Sequence, residues 1–223
     1  MNASRTSMRG RISRLWLLLL ALALGAGLYW GRDVWGLWQF KQALDREAAQ
    51  VAARGPQASA WAQACVGCHG FGGASLNPAY PRLAGQPAAY LEAQLRRFAS
   101  GERRNPQMEP LAASLSEAQI HALVAYFSAS EAGLTPGRAM VLLPQLASCT
   151  ACHGAQLQGG SATSATGPVA APRLAGQSPG YLARQLRAFR AGDRVDPSGQ
   201  MQAVSRSLSD QDIDALARAL AQP

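Results

Sequence analysis

The chain has 223 residues, 48% of them hydrophobic, and carries 21 Lys and Arg against 13 Asp and Glu for a formal charge of +8. Half of that net charge comes from Arg5, Arg9, Arg11 and Arg14, ahead of any folded region, and the rest is spread thinly. No dense basic stripe interleaved with aromatics is left, which argues against a nucleic-acid-binding face, while the length allows one large domain or two small ones.

Residues 15–31, LWLLLLALALGAGLYWG, form a run without a charged residue. Four arginines precede it, and only Arg32, beside Asp33, follows closely, so the N-terminus is expected in the cytoplasm and everything after Arg32 across the membrane. Two readings compete. A single transmembrane anchor takes about 17–25 apolar residues, and Tyr29, Trp30, Trp35 and Trp38 cluster at the outer end, where amphipathic rings favour the interface. A cleaved signal peptide has a shorter apolar region of about 7–15 residues and a small-x-small site, which Ala21-Leu22-Ala23 supplies only by cutting the run short. The anchor is preferred, with residues 1–31 as cytoplasmic N-terminus and anchor. Residues 32–54 then form a linker, of which 39–54 lack Gly and Pro and read as a solvated helix ended by Gly55-Pro56.

CVGCHG at 65–70 returns as CTACHG at 149–154, and the two places hold all four cysteines and two of the three histidines. A disulfide framework gives no reason for a histidine after each pair. A zinc site of four thiolates leaves His69 and His153 unexplained. A thioredoxin-like motif needs a βαβ setting, and no strand-rich pattern surrounds either pair. CxxCH is the signature of covalent haem attachment, which in bacteria takes place outside the cytoplasm, in agreement with the expected topology.

The chain repeats itself. PRLAGQPAAYLEAQLRRFASGERR at 81–104 recurs as PRLAGQSPGYLARQLRAFRAGDRV at 172–195, an offset of 91 residues against 84 at the CxxCH. The extra residues of the second copy fall at SATSATGPVA, 161–170, whose composition reads as a flexible surface loop. The repeat predicts two domains of similar design, 55–133 and 134–223, joined near Gly133-Leu134-Thr135-Pro136-Gly137. In each, a helix runs into the CxxCH. A second begins near Pro87 or Pro179, with proline at the first helical position and Ser178 as a ready N-cap. A third begins at Ser116 or Ser209, where Ser116 with Gln119 and Ser209 with Asp212 have capping-box spacing, and Leu115/Ile120 and Leu208/Ile213 fit a hydrophobic staple. The fold class expected is all-α. Domains of this size bury modest cores, so a large apolar cofactor would be integral to each.

On a helix, Cys65, Cys68 and His69 share one face, as do Cys149, Cys152 and His153. The thiols would hold the porphyrin edge while the imidazole meets the iron. A methionine in the sixth position raises the reduction potential and suits electron transfer, whereas an open one suits ligand chemistry. Of five methionines, Met1 and Met8 precede the apolar run and Met140 has Pro56 in its place in the first copy. Met108 and Met201, at matching places between the second and third helices, are the candidate sixth ligands. His121 has Asp214 as its counterpart and is expected to be exposed. The carbonyls of Pro81 and Pro172 could accept from the ligating histidines, and Arg82 and Arg173 could pair with haem propionates. The alternative for these four is a structural turn with a surface arginine.

The paired CxxCH motifs, the doubled PRLAGQ…Y…QL…F helix, and Met108 and Met201 ahead of LSEAQI and LSDQDI resemble the two-domain dihaem cytochromes c of the cytochrome c4 type, over about residues 60–220. The resemblance implies two tandem class I cytochrome c domains with His–Met iron, His69 with Met108 and His153 with Met201, and two covalently bound haem c groups. It also implies transfer of electrons in the periplasm, typically towards a terminal oxidase, and no catalysis of its own. With the anchor, the expectation is a single-pass inner-membrane protein with periplasmic haem domains, working between a quinol-oxidising complex and a terminal oxidase. The rivals are a permanent haem subunit of an oxidase or membrane-bound dehydrogenase, a dihaem peroxidase, and a zinc-binding structural protein.

Overall fold

The computed structural model describes residues 16–17, 34–42, 45, 56–130, 146–164 and 167–221. Two compact units divide the chain, Met1–Ala49 and Gln50–Pro223. In the first, residues 34–42 are helical, with Trp35, Leu37, Trp38 and Phe40 exposed and the Trp35 and Trp38 rings stacked at 4.8 Å between centroids. The apolar run 15–31 lies outside the described residues apart from Trp16 and Leu17, as do the joint at 133–137 and Met140. No helix among the described residues is long and apolar enough to cross a membrane.

The second unit builds the same helical design twice. The first half runs α1 (Pro56–His69), a 3-10 turn (Phe71–Gly73), α2 (Ala88–Ala99), α3 (Met108–Ala113) and α4 (Glu117–Ser128). The second runs α5 (Leu146–His153), β1 (Gly160–Ser164), β2 (Gly167–Ala171), α6 (Pro179–Ala191), α7 (Gln200–Arg206) and α8 (Asp210–Ala221). In each half the long middle helix packs on the last, α2 on α4 and α6 on α8. The cores are separate: Leu91, Ile120, Leu123, Val124 and Phe127 in the first, Leu146, Leu157, Leu182, Ile213, Leu216 and Leu220 in the second. The 3.6-residue apolar spacing of α4 and α8 puts these side chains on one stripe.

Helix starts follow local chemistry. The Ser116 hydroxyl accepts from Gln119 N–H while Gln119 Oε1 accepts from Ser116 N–H, a full capping box, and Ser209 with Asp212 repeats it. Ser116→Ala or Ser209→Ala is expected to lower stability by about 1 kcal/mol, read as a lower denaturation midpoint with unchanged slope. The first copy's second helix departs from expectation by one position. Pro87 lies at the N-cap with extended ψ of 132°, the place of Ser178 in α6, and helix begins at Ala88. Of these two prolines, Pro179 alone occupies the first helical position.

The all-α expectation needs a larger correction. Residues 161–164 and 167–170, expected in a flexible loop, belong to two antiparallel strands, pairing Gly160 with Ala171 through Ser164 with Gly167. The ladder satisfies the backbone N–H and C=O groups that a loop would leave to water. β1 packs on α5 and β2 reaches α2 of the other half, so the insertion contributes to the boundary between them.

The halves also exchange volume at one point. Gly73 O accepts from Leu83 and Ala84 N–H, and Leu157 O accepts from Leu174 and Ala175 N–H, so the two residues are counterparts. Both are left-handed, φ 81° and 53°. A Cβ on Gly73 would stand 2.8 Å from the Phe127 ring. Leu220 replaces Phe127 in the second half, as Gly176 N–H→Leu220 O and Gly85 N–H→Phe127 O show, and the smaller side chain leaves room for fully buried Leu157.

Candidate functional site

Helices α1 and α5 end on the CxxCH residues, so all four cysteines and both histidines lie in a last helical turn. None of the four cysteines is in a disulfide. Burial, reinforced by the neighbouring cysteine, pushes the Cys65 and Cys149 thiols up, though Ser148 opposes it at Cys149. A redox-active CxxC pair needs a lowered thiol pKa, so these are not poised for disulfide exchange. Among the described residues no three His, Cys, Asp or Glu side chains gather to hold a metal ion, so the four thiols do not converge on a shared zinc.

His69 and His153 are 7% and 6% exposed. Nδ1–H of His69 donates to the Pro81 carbonyl at 2.9 Å, and that of His153 to the Pro172 carbonyl at 2.8 Å. This fixes the tautomer and leaves each Nε2 with a lone pair to offer a metal. Burial lowers both imidazole pKa values against the opposing pull of those carbonyls, and at His153 of Asp196 as well, so the neutral ring that ligation requires is favoured. The Tyr80 ring stands edge-on to His69, 6.3 Å between centroids.

Met108 and Met201 are not on loops: Met108 opens α3 and Met201 is the second residue of α7. Their N–H groups are capped alike, by Asn105 Oδ1 at 2.9 Å and Asp196 Oδ2 at 3.4 Å. In the second half Cys152 Sγ lies 3.7 Å from Gln200 Oε1, which brings the residue before Met201 against the CxxCH. Both methionines are half-buried, and His121 is exposed on α4.

Arg82 and Arg173 are half-buried. Burial lowers both guanidinium pKa values, and Arg82 also feels the charge of Arg173; neither has a carboxylate partner among the described residues. Arg173 Nε donates to Ala175 O at 3.2 Å, while Arg82 Nε is buried without a partner. The other buried polar atom lacking a partner among the described residues is Ser205 Oγ, one helical turn after Met201. Thiol pairs outside any disulfide, oriented imidazoles, two arginines short of an anion, and orphaned groups near the histidine and methionine segments together fit a haem c in each half.

A second set of residues, not singled out in the sequence, joins the halves. Arg103 donates to Gln94 Oε1 at 2.8 Å, Tyr181 OH at 2.9 Å and Gln185 Oε1 at 3.1 Å. Its counterpart Arg194 donates to Gln185 at 2.6 Å, Tyr90 OH at 3.1 Å and Gln94 at 3.2 Å. Each guanidinium also lies 4.5 Å over a phenyl ring of its own half, Phe98 or Phe189. The signal was the recurrence of all eight residues at a 91-residue offset. Burial would raise the Tyr181 phenol, but the Arg103 and Arg194 charges, with hydrogen bonds to Arg103 and Tyr90, bring it down to about 8. The unfolded phenol titrates near 10. Ionisation therefore adds nothing below pH 8, adds stability as pH rises from 8 to 10, and is complete above 10. Tyr181→Phe is expected to abolish a pH-dependent gain of at most about 3 kcal/mol, measured as the wild-type-minus-variant difference in stability across that window.

Residues 52–127 match the family model described as cytochrome C oxidase, cbb3-type, subunit III, and residues 143–220 match cytochrome c. A thiosulfate dehydrogenase electron acceptor from Stutzerimonas stutzeri (strain A1501) is 38% identical over 173 residues, 70% of this chain and 77% of that protein. Cytochrome c4 of Thiocapsa roseopersicina is 36% identical over 174 residues, 70% of this chain and 85% of its own. The chain belongs to the cytochrome c4 family. The crystal structure of reduced recombinant cytochrome c4 from Pseudomonas stutzeri superposes with a TM-score of 0.61 at 26% identity, covering 75% of this chain and 97% of that one. This cytochrome thus has the mostly helical, two-domain class I cytochrome c fold, carries two covalently bound haem c groups, and is an electron-transfer protein.

Proposed function

We infer that the protein is an anchored dihaem electron carrier that takes electrons from an oxidising enzyme of the cell envelope and delivers them towards a terminal oxidase. Cys65 and Cys68 hold one haem and Cys149 and Cys152 the other; His69 with Met108, and His153 with Met201, ligate the irons. Arg82 and Arg173 neutralise propionates at the boundary between domains 55–133 and 134–223. The observation that carries the reading is the pair of buried imidazoles, each held by a proline carbonyl at the end of a helix bearing two cysteines outside any disulfide. His–Met ligation suits outer-sphere transfer, with no substrate bound at iron.

The charge-free run 15–31 behind four arginines supports an inner-membrane anchor with the haem domains in the periplasm. The donor class is suggested by the relatives named as acceptors for thiosulfate dehydrogenase; a quinol-oxidising complex is the other candidate. A second reading, a permanent subunit of an oxidase or membrane-bound dehydrogenase, is favoured by the first domain's match to an oxidase subunit. Gentle detergent extraction of native membranes and affinity purification of the chain separates them. A carrier arrives alone, red, reducible, and reduced by a thiosulfate-oxidising enzyme on addition of thiosulfate. A fixed subunit arrives with stoichiometric partners. A colourless chain without covalent haem defeats both.

A further inference from the structure

The glutamines that close the two PRLAGQ motifs act across the domain boundary. Gln177 Oε1 accepts from Arg82 N–H at 2.7 Å and from Ser178 N–H at 2.9 Å, and its Nε2 donates to the Arg82 carbonyl at 2.9 Å. Gln86 treats Arg173 in the same way, at 3.0 Å and 2.9 Å. Both side chains are buried, at 4% and 5% exposure.

The Arg82 N–H belongs to the same planar peptide group as the Pro81 carbonyl. One side of that group therefore donates to Gln177 while the other accepts from His69. The Pro172–Arg173 peptide stands likewise between Gln86 and His153. Hydrogen bonds in series polarise one another. An amide oxygen accepting from the N–H makes the proline carbonyl a stronger acceptor, and a stronger acceptor at Nδ1–H makes the imidazole a more basic ligand. The clamp also holds the peptide in place, because its second bond grips the next carbonyl.

We propose that Gln177 and Gln86 are positioning residues that tune the axial histidine of the opposite domain, each through one shared peptide group. The proposal rests on the assignment of His69 and His153 as iron ligands. A more basic imidazole favours ferric iron, so loss of a glutamine raises the potential of the haem across the boundary, not the haem in its own domain.

The test uses the holoprotein and follows each haem by redox titration read from sequence-assigned backbone amide resonances of its own domain. Gln177→Leu is expected to shift the first-domain haem upward more than the second and to move the His69 Nδ1–H resonance towards a weaker hydrogen bond. Gln86→Leu is expected to give the reverse pattern. Gln177→Glu keeps an acceptor at Arg82 N–H and adds charge, so it is expected to hold or lower the first-domain potential, and it carries the test alone if the leucine variant does not accumulate. Equal shifts of both haems, a larger shift in the mutated domain, or an upward shift in Gln177→Glu would overturn the proposal, leaving the glutamines as ordinary interface packing. A wild-type protein without two histidine-ligated haems, judged by haem content and imidazole resonances, overturns the ligand assignment and the tuning together.

Discussion

Met201→Ala is expected to lower the midpoint potential of the second-domain haem by a sizeable part of the ~0.8 V range that axial ligands command, while the first-domain haem titrates almost as before. A thioether stabilises ferrous iron, and alanine offers no donor in its place. The residue before Met201 is held against Cys152, and Met201 N–H is capped by Asp196, so the sulfur belongs to a segment pinned near the CxxCH. Met108, the ligand proposed for the other iron, opens a separate helix in the other half and is left in place by the change. Spectroelectrochemical titration with and without cyanide checks both parts. A variant that titrates like the wild type and takes up no cyanide shows that Met201 is not the sixth ligand.

Gly159→Ala is expected to be the most damaging small substitution in the second domain. Gly159 has φ of +76°, and its added Cβ would stand 2.5 Å from Arg173 N, 2.6 Å from Pro172 C and 2.7 Å from Ala171 O. All three are backbone atoms, so no rotamer change relieves the clash. The displaced stretch carries the carbonyl that orients His153 and the N–H that Gln86 holds. A destabilisation of about 3 kcal/mol or more follows, since left-handed strain alone accounts for about 1–2 kcal/mol. Gly101→Ala is the control: φ is similar at +77°, but nothing lies within 4 Å of the new Cβ. Denaturant unfolding of the two holoproteins should separate strain from collision, and only Gly159→Ala should disturb the second haem's spectrum. Equal midpoints for the two variants would mean that the 171–173 backbone yields freely.

The elements legible in the sequence are those whose cause is local. Capping boxes at Ser116 and Ser209 act within four residues, and the apolar stripes of α4 and α8 within three turns. The strand pair 160–164 and 167–171 is not legible because its small residues, with Val169 the one large apolar side chain, give no alternating apolar face; what steadies it is the backbone ladder and contact with α5 and α2. The volume exchange between Gly73 with Phe127 and Leu157 with Leu220 joins residues more than fifty positions apart. The proline carbonyls could be nominated because a ligating imidazole needs a partner and PRLAGQ recurs after each CxxCH. The glutamines of that motif could not, since each bonds a residue at least 87 positions away in the other half. A repeat reveals that two domains exist, but not that each completes the other.

The described hydrogen bonds between the halves run from glutamine, serine and arginine donors, or from arginine backbone N–H groups, to amide, phenol and carbonyl oxygens, never to a carboxylate. Among the described residues, the ion pairs of the two halves, such as Arg96–Glu117 and Arg187–Asp214, each stay within one half. Ionic strength weakens opposite-charge contacts at an exposed docking face, but at the boundary between the halves it would only relieve the repulsion between facing arginines. A surge of salt that strips away a redox partner would therefore leave the hydrogen bonds that join the two domains in place, so the protein can exchange its correspondents without loosening its own joint.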